Sequence, residues 1–357
     1  ISAATRLKQK GVQAYAGELV NGVAEARNWS LDELADRTIP TAGLNDDGVL
    51  ELPIGDDAKP YFARMDDDFK LVAFNPDGKP IKALPAGDDD NTKASKKQLS
   101  ASKRELKQVM TLQGERLYEA LCAERVWPVS DWLRDFRDHP LMGRLTERVI
   151  WLGVDADGNA ITAFRPTAEG DYVDAEDNEV DPENFANIRL AHGALLPDGA
   201  AEAWKTHLSD YEVKPLFAQF GRPLLAVEGD MAKETQIKDR HGWVTDTFTF
   251  RGVASKLGYE RGEALDGGYF NEYVKNFRSA GLCAVIEFSG NCLPEENVAA
   301  AQMYLSFNKI MGKGRRGRAV PLGEVPGVLL SECWNDYRDM VAKGSYDPEW
   351  MKKMPWI

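Results

Sequence analysis

The chain has 357 residues, of which 43% are hydrophobic and 28% charged, and its formal net charge at pH 7 is −13. This length predicts about two domains with a sizeable core, and this composition is typical of folded, soluble proteins. The negative charge repels nucleic acids and anionic membranes unless a local basic patch exists, and no run of about 18 apolar residues predicts a membrane-spanning helix.

The N-terminal segment ISAATRLKQKG lacks both an initiating methionine and the apolar stretch of a signal peptide. We therefore expect a piece of a longer, cytoplasmic protein. Its four cysteines have no C-x-x-C spacing, which argues against a zinc site, and we predict neither a metal nor a cofactor. A Cys283–Cys292 bridge across a hairpin is one alternative, but so few cysteines in so long a chain favour free thiols in a reducing compartment.

Residues 1–90 predict a small entry subdomain of helices and a β-meander. Residues 1–44 are helical at first, since Ser30 is a suitable N-cap for LDELADR and apolar residues recur every three to four positions, at Tyr15, Leu19, Val20 and Val23. Over residues 48–84, the strand-like segments GVLELPI, PYFARM, KLVAF and KPIKAL alternate with Gly, Pro and Asp turns, which predicts the meander. PAGDDDNTKASKK follows as a polar linker.

Residues 91–357 predict the main domain, which either stands apart from the entry subdomain or forms one unit with it. A single helix is expected over about residues 91–125, because one face carries Leu99, Leu106, Met110, Leu117 and Leu121. At 1.5 Å per residue it would be about 50 Å long and would serve as a core-packing spine. Gly114 costs such a helix about 1 kcal/mol relative to Ala, so a break there is an alternative.

A proline marks the corner between the next two predicted helices. SDWLRDFRD is helical with Ser130 as its cap, and it should end near Asp138 because a residue before proline avoids the α conformation. Pro140 suits the first turn of a second helix that continues to Arg148. His139 is then the corner residue, and we expect its ring to bond a free helix-end amide or carbonyl rather than to act in catalysis.

The following segments predict strands before any further helix. RVIWLGV and AITAFR form a hairpin around DADGN, and within the second strand Phe164 and Arg165 must point to opposite faces. If Phe164 is in the core, Arg165 points outward or into a cleft. NIRLAHG is strand-like, DGAAEAWKTHLSD is a helix with His207 on its exposed side, and KPLFAQFGRPLLAVE is an edge or a bent connection.

The C-terminal third continues the mixed pattern. TDTFTF, YFNEYV and LCAVIEF are strand-like, NVAAAQMYLSFNKIM is helical, LGEVPGVLL is extended and SECWNDYRDMVAK is a last helix. These elements together predict an α+β fold, mixed and mostly antiparallel, with strands and hairpins, a long helical spine and several packed helices.

GKGRRG at residues 312–317 matches G-x-G-x-x-G, but a dinucleotide loop needs a strand before it and a helix after it. We expect a helix before and extended chain after, so we reject that site. The segment is nonetheless basic, with Lys309, Lys313, Arg315, Arg316 and Arg318. Such a cluster can bind a phosphate, a nucleic-acid backbone or an acidic partner, or it can be a solvated turn or pair with the acid-rich residues 167–183.

Several segments, read in order, carry a resemblance: RVWPVSDWLRDFRDHPLMGRL, ERVIWLG, AFRP, LAH, AWKTHLSDYEVKPLFAQFGRP and SECWND. With the entry segment SLDELADRTIPTAGLNDDGVLEL, they resemble a bacterial domain of unknown function (DUF4132) of MolR-like proteins, usually C-terminal to a WGR domain. One departure is Gly193 after His192, where the family pattern has proline. The resemblance implies no catalytic residues, but it implies protein partners such as MoxR-type AAA ATPases or von Willebrand A-domain proteins.

Three functions remain open. The first is a non-enzymatic scaffold or adaptor domain in a multi-component bacterial regulatory or conflict-type system, since aromatic and arginine-rich segments dominate protein interfaces. The second is an enzyme with an unrecognised nucleotide- or phosphate-directed site, built from His139, Arg165, His192, Gln219 and Arg222. The third is nucleic-acid contact through the basic 309–318 loop.

Overall fold

The computed structural model describes residues 10–355, and of residues 10–14 and 313 only the backbone. The chain forms two compact units. Unit 1 comprises residues up to 117, 127–188 and 213–216, and unit 2 comprises residues 118–126, 189–212 and 217 onward. The expected domains 1–90 and 91–357 stay a prediction, because compact units need not be domains that fold independently.

Unit 1 begins with two helices, α1 (Lys10–Arg27) and α2 (Leu31–Asp36); residues 1–9 of the predicted helical segment lie outside the described residues. The predicted N-cap of α2 is confirmed. Its Ser30 hydroxyl accepts a hydrogen bond from the Glu33 amide at 3.1 Å, and the Glu33 carboxylate accepts one from the Ser30 amide at 2.6 Å. This reciprocal capping box satisfies two amides that a helix start leaves without partners.

The predicted meander is present as four antiparallel strands in sequence order: β1 (Val49–Ile54), β2 (Lys59–Met65), β3 (Leu71–Phe74) and β4 (Pro80–Ile81). The spine helix α3 (Asp90–Cys122) begins inside the segment expected to be a linker. Thr92 accepts a hydrogen bond from the Gly55 amide at 3.1 Å, and Ser95 donates to the Pro53 carbonyl at 2.8 Å. These buried hydroxyls fix the start of α3 to the meander.

The spine helix runs through Gly114 without a break. Its predicted apolar face is buried, with Leu106 and Leu121 each 1% exposed. At 1.5 Å per residue, α3 is about 50 Å long.

A five-stranded sheet has the order β5-β9-β6-β7-β8. Its strands are β5 (Val126–Pro128), β6 (Trp151–Val154), β7 (Ala160–Pro166), β8 (Tyr172–Val173) and β9 (Asn187–Leu190). The predicted hairpin at DADGN joins β6 to β7, and the Asp155 carboxylate accepts the Asp157 and Asn159 amides at 2.9 and 2.8 Å. This side chain holds the turn closed.

Between β5 and β6 lie α4 (Val129–Trp132), a short π-helix (Leu133–Arg137) and α5 (Met142–Thr146). Ser130 was expected to cap the first of these helices, and that prediction is wrong. The helix starts at Val129, directly after Pro128, which is two residues earlier than a cap at Ser130 would give. Strand β5 runs straight into the helix at Pro128, whose ring already fixes φ, so Ser130 lies inside the first turn.

Unit 2 is built on an eight-stranded antiparallel sheet with the order β12-β13-β14-β15-β11-β17, and β10 and β16 also pair with β15. The long strands are β13 (Phe270–Phe277), β14 (Leu282–Asn291) and β15 (Ala299–Met311). The shorter strands are β10 (Gln236–Ile237), β11 (Trp243–Asp246), β12 (Glu260–Arg261), β16 (Arg315–Ala319) and β17 (Ser345–Tyr346).

Strand β15 corrects the expected helix over NVAAAQMYLSFNKIM. Its Ala, Gln and Met residues favour helix locally, but β14 pairs along one side of it and β10, β11 and β16 pair along the other. Hydrogen bonds on both sides outweigh intrinsic propensity, which is worth less than about 1 kcal/mol per residue.

Three helices of unit 2 complete the fold: α6 (Ala200–Asp210), α7 (Thr247–Lys256) and α8 (Gly327–Asp339). TDTFTF was predicted to be a strand, but the strand stops at Asp246. The carboxylate of Asp246 accepts the Phe248 and Thr249 amides at 3.1 and 3.0 Å and starts α7. LGEVPGVLL was predicted to be extended, but α8 begins at Gly327 within it, after Pro326.

Helix α6 also corrects the expected exposure of His207. The ring is only 3% exposed and packs against the rings of Trp204 and Tyr211, at 5.1 and 4.7 Å between centroids. Aromatic neighbours three and four residues away cover the face that was expected to meet water.

The architecture confirms a mixed α+β fold whose meander and eight-stranded sheet are antiparallel, as is the β6–β7 hairpin. The core of unit 2 lies between its sheet and α7 and α8, where Phe250, Phe288, Phe307 and Tyr337 are buried. Every helix in the described residues is too short or too polar to cross a membrane.

Candidate functional site

Three of the predicted site residues, His192, Gln219 and Arg222, line one cleft of unit 2 with a volume of about 390 Å³. His192 follows β9, and Gln219 and Arg222 lie on the bent connection after α6, which the prolines of the sequence predicted. Glu332 of α8 completes the lining. The cleft therefore unites segments that are more than a hundred residues apart.

His192 and Gln219 hold the end of β9 against the bent connection. The His192 Nδ1 accepts the Ala194 amide at 3.1 Å, and the Gln219 side-chain amide donates to the Ala191 carbonyl at 2.6 Å. The Gly193 amide donates to the Gln219 carbonyl at 3.1 Å. A proline has no amide proton to give, so Gly193 closes the turn by a bond that proline cannot make.

Arg222 contacts three carboxylates of α8. Its guanidinium donates to Glu332 at 3.2 Å, Asp336 at 3.4 Å and Asp339 at 2.9 Å. These acids are spaced i, i+4 and i+7 and so share one face of the helix. Lys275 adds a second cation, 3.5 Å from Asp336. The cluster holds three carboxylates against two permanent cations, so it carries an excess of negative charge.

Burial and pairing act in opposite directions on the two innermost acids. Burial disfavours ionisation of Glu332, but the His192 ring and the Arg222 guanidinium outweigh it and lower the pKa of Glu332 below its ordinary 4.5. Burial raises the pKa of Asp336, against the influence of Lys275 and Arg222. Glu332 is therefore ionised at neutral pH.

One oxygen of Glu332 is left without a hydrogen bond. Its Oε2 accepts the Tyr118 hydroxyl at 3.0 Å, whereas Oε1 is buried and has no hydrogen-bond donor among the described residues. His192 Nε2 lies 3.6 Å from Oε1, which is longer than a hydrogen bond. A buried carboxylate oxygen without a hydrogen bond costs free energy.

The mouth of the cleft is acidic and partly apolar. Asp198 and Glu202 are exposed lining residues, and Leu224 is 49% exposed. Glu202 is paired with Lys205 at 2.7 Å. With Glu332 at the base and Arg222 bound to carboxylates, the cleft favours a cationic group over a phosphate or another anion.

His139 belongs to unit 1, and the structure confirms its expected role as a helix corner. Its Nδ1 accepts the Leu141 and Met142 amides at 3.1 and 3.2 Å, so Nε2 carries the proton and donates to the Ile39 carbonyl at 3.1 Å. Both ring nitrogens are engaged in the neutral form. Burial lowers the pKa of His139, and so favours this form.

Replacing His139 with alanine is expected to lower the unfolding free energy by about 1–2 kcal/mol at pH 8, as the loss of an N-cap does. Because the folded-state pKa of His139 lies below its ordinary 6.5, wild-type protein loses stability as the pH falls below 6.5 and the unfolded state takes up the proton. The difference between wild type and H139A should therefore shrink from pH 8 to pH 5. Urea unfolding at both pH values measures it, and a difference that grew on acidification would contradict the assigned capping role.

Arg165, also in unit 1, does not point outward. Phe164 is 0% exposed and Arg165 only 6%, so β7 is covered on both faces at this point. Arg165 donates to the Pro166 carbonyl at 3.3 Å and contributes to holding down the pKa of Glu147, which burial raises. The buried Arg165 guanidinium therefore interacts with a carbonyl and a carboxylate of unit 1, which offset the cost of burying its charge.

The basic cluster lies on the hairpin of β15 and β16. A strand, not the expected helix, precedes GKGRRG, and a second strand follows it. The segment still lacks the following helix that a dinucleotide loop requires. Arg316 pairs with Glu272 at 2.6 Å, whereas Lys309, Arg315 and Arg318 are exposed; the side chain of Lys313 lies outside the described residues.

All four cysteines are free, so the alternative of a Cys283–Cys292 bridge is wrong. Cys122, Cys283 and Cys333 are buried, and burial raises their pKa values. The raised values keep these three as unreactive thiols at neutral pH.

Sequence reasoning missed the acids of α8. Glu332, Asp336 and Asp339 stand in SECWNDYRD, which was assigned only as a helix. Their spacing was a readable sign of an acidic helix face. The cation that pairs with this face could not be predicted, because Arg222 is 110 residues away from Glu332 along the chain.

Comparison with known proteins places the chain in a family. A family model described as "Domain of unknown function (DUF4132)" matches residues 78–259, which include His139, Arg165, His192, Gln219 and Arg222. "Uncharacterized protein YehI" of Escherichia coli strain K12 is 29% identical over 290 residues, or 80% of this chain and 23% of YehI. The chain thus spans about a quarter of that relative's length. No solved structure matches the chain. Because the family model covers just over half of the residues, the chain belongs to the DUF4132 family of domains of unknown function.

Proposed function

We propose that this chain is a non-enzymatic adaptor domain that docks onto protein partners, and that the unit 2 cleft receives a lysine or arginine side chain of the partner. One observation carries the proposal: Glu332, ionised and 2% exposed, lines a cleft whose mouth holds Asp198 and Glu202, and its buried Oε1 accepts no hydrogen bond. A partner cation would supply the missing donor in a charge-assisted hydrogen bond.

The state of His192 argues against the alternative of catalysis in this cleft. A backbone amide can only donate, so the Nδ1 that accepts it has no proton and Nε2 must carry one. The ring therefore has no free lone pair for use as a general base. It is also only 2% exposed.

Arg222 is equally poorly placed to bind a nucleotide or a phosphate ester. Its charge is matched by three carboxylates within 3.4 Å. A phosphate would have to displace at least one of these acids and then lie beside it. The ion cluster therefore stabilises unit 2. The lining group that still lacks a hydrogen bond is the Glu332 carboxylate, which is an acceptor.

The mouth of the cleft has the composition of a protein-binding surface. Leu224 is exposed, and Leu196 and Phe220 are half-buried lining residues. An apolar border around a charged base can exclude water from an inserted side chain. The resemblance to MolR-like, WGR-linked proteins makes MoxR-type AAA ATPases and von Willebrand A-domain proteins the first partners to test.

The test is binding of two purified candidate partners and of an oligolysine peptide to the full chain, measured by calorimetry. The double variant Asp198→Asn, Glu202→Gln should bind about three- to tenfold more weakly, since exposed charges contribute up to about 1 kcal/mol each. The control variant Glu263→Gln, Asp266→Asn removes the same charge from exposed positions that do not line the cleft. It should bind as wild type does.

Two results would overturn the proposal. One is that the cleft variant and the control variant weaken partner binding equally, which would mean that binding depends on the net charge of the protein and not on the cleft. The other is stabilisation of the protein by a nucleotide or phosphate ester in a thermal-shift screen, with the stabilisation lost in Arg222→Gln. That second result would favour the enzyme alternative, because ligands raise the melting temperature only of a protein that holds a site for them.

A further inference from the structure

The first half of α3 carries a stripe of cations on its outer side. Within residues 93–107 stand six basic residues, and only one acid, Glu105. Five of the six are exposed and Lys96 is half-buried. We call this set the α3 stripe: Lys93, Lys96, Lys97, Lys103, Arg104 and Lys107.

Helical spacing places the whole stripe on one side. At about 100° per residue, its six positions fall within an arc of about 120°. Leu99, Ser102, Leu106 and Val109 are buried and occupy the opposite side, which packs into unit 1. Glu105 falls outside the arc. The stripe is therefore a continuous cationic surface about 21 Å long.

The stripe is not neutralised within the protein. None of its six members forms an ion pair in the part of the chain that the structure describes, although Arg37, Arg116, Arg144 and Arg222 all do. Within the stripe, Lys93 and Lys97, and likewise Lys103 and Lys107, are like charges four residues apart, which repel each other. This repulsion costs the helix some stability, and no described ion pair offsets it.

The chemistry of the stripe narrows the choice of partner. Ser100 is the neutral residue among its cations, and no apolar or aromatic side chain lies in the arc between Lys93 and Lys107. An amphipathic membrane helix needs apolar residues to insert, and a protein interface needs an apolar or aromatic anchor. Single-stranded nucleic acid needs aromatic rings for stacking. A purely cationic surface matches a double-stranded phosphate backbone, which is bound through counterion release.

We propose that the α3 stripe binds the phosphate backbone of double-stranded nucleic acid without reading its sequence. Its length corresponds to about six base-pair steps at 3.4 Å each. The site is separate from the acidic cleft and does not depend on partner docking there. It also differs from the 309–318 hairpin, whose Arg316 is already paired with Glu272.

The experiment measures binding of the full chain to a fluorescent DNA duplex of roughly 20 base pairs, by anisotropy, between about 50 and 200 mM salt. The triple variant Lys97→Gln, Arg104→Gln, Lys107→Gln should bind at least tenfold more weakly at the lower salt. The salt-dependence slope should fall by about 2 to 3, since each phosphate contact contributes about 0.9. Glutamine keeps helix propensity high and removes the like-charge repulsion, so circular dichroism should be unchanged and the melting temperature should not fall.

The control is Lys309→Gln, Arg315→Gln, Arg318→Gln, which removes the same charge from exposed positions on the hairpin. It should bind the duplex within about twofold of wild type. Failure of wild type to bind the duplex, or an equal or larger loss in the hairpin variant, would overturn the assignment. Polyglutamate and phosphatidylserine vesicles serve as competitors. If either displaced the labelled duplex as effectively as unlabelled duplex does, the assignment would also be overturned, because the stripe would then belong to another class of partner.

Discussion

Replacing Glu332 with glutamine is expected to lower the unfolding free energy at pH 7 by about 3 kcal/mol, the lower end for breaking a buried ion pair. Arg222 would lose one of its three carboxylates, and the Tyr118 hydroxyl and the His192 ring would lose a charged neighbour. The Arg222 side chain is 27% exposed, so water recovers part of the loss. Urea unfolding of wild type and E332Q measures the difference.

The same variant has a predictable pH dependence. The folded-state pKa of Glu332 lies below its ordinary 4.5, so its stabilisation is fully present above pH 4.5 and disappears as the pH falls through the folded-state pKa. The gap between wild type and E332Q should therefore close on acidification. Asp336→Asn, one turn further along α8, is the matched control: the folded-state pKa of Asp336 is raised from its ordinary 3.8, so its charge opposes folding and D336N should cost less at pH 7.

Equal losses in E332Q and D336N, or a loss in E332Q that persists unchanged at pH 3, would contradict this account of the cluster. Either result would mean that packing of the α8 side chains, rather than their charge, stabilises this region. Hydrogen exchange then shows whether the loss falls on α8 and the bent connection.

Replacing Trp151 with alanine is expected to cost about 4 kcal/mol, in the range for deleting a fully buried aromatic side chain. Trp151 is 0% exposed, and its ring contacts those of Trp127, Trp132 and Phe136 at centroid distances of 5.9, 5.2 and 6.2 Å. Its indole also donates to the Thr146 carbonyl at 3.1 Å. The substitution leaves a cavity among three aromatic rings and a buried carbonyl without its donor.

Denaturant unfolding followed by near-ultraviolet circular dichroism measures this loss, because the aromatic signal reports fixed ring packing. Tyr346→Ala is the control, since Tyr346 is an aromatic residue that is 60% exposed, and its loss should stay within about 0.5 kcal/mol. A cost below 1 kcal/mol for W151A would show that the aromatic cluster of unit 1 can repack around a smaller residue.

Features that depend on neighbouring residues were predictable. Ser30 and Glu33 form a capping box because both lie within one helical turn. DADGN closes a hairpin through the side chain of Asp155. His139 stands at a helix corner because a proline follows it, and its capping bonds reach residues two and three positions ahead. For such features the bonding partners are already adjacent in the sequence.

The candidate site was only partly predictable for the same reason. Its histidine, glutamine and arginine could be named from residue type, but the acids that determine their behaviour could not be assigned to them. Charge pairing between Arg222 and α8 neutralises the arginine. Because of that pairing, Arg222, which was a candidate for binding phosphate, is instead part of an acidic cleft.

The sequence alone determined the α+β class, the capped helix α2, the meander, the spine helix and the corner at His139, because local hydrogen bonds and apolar periodicity decide such elements. Only the tertiary structure decided that residues 299–311 form a strand and that Arg222 meets Glu332. Both depend on residues distant in the chain, whose hydrogen bonds and charges outweigh local preferences of less than about 1 kcal/mol per residue.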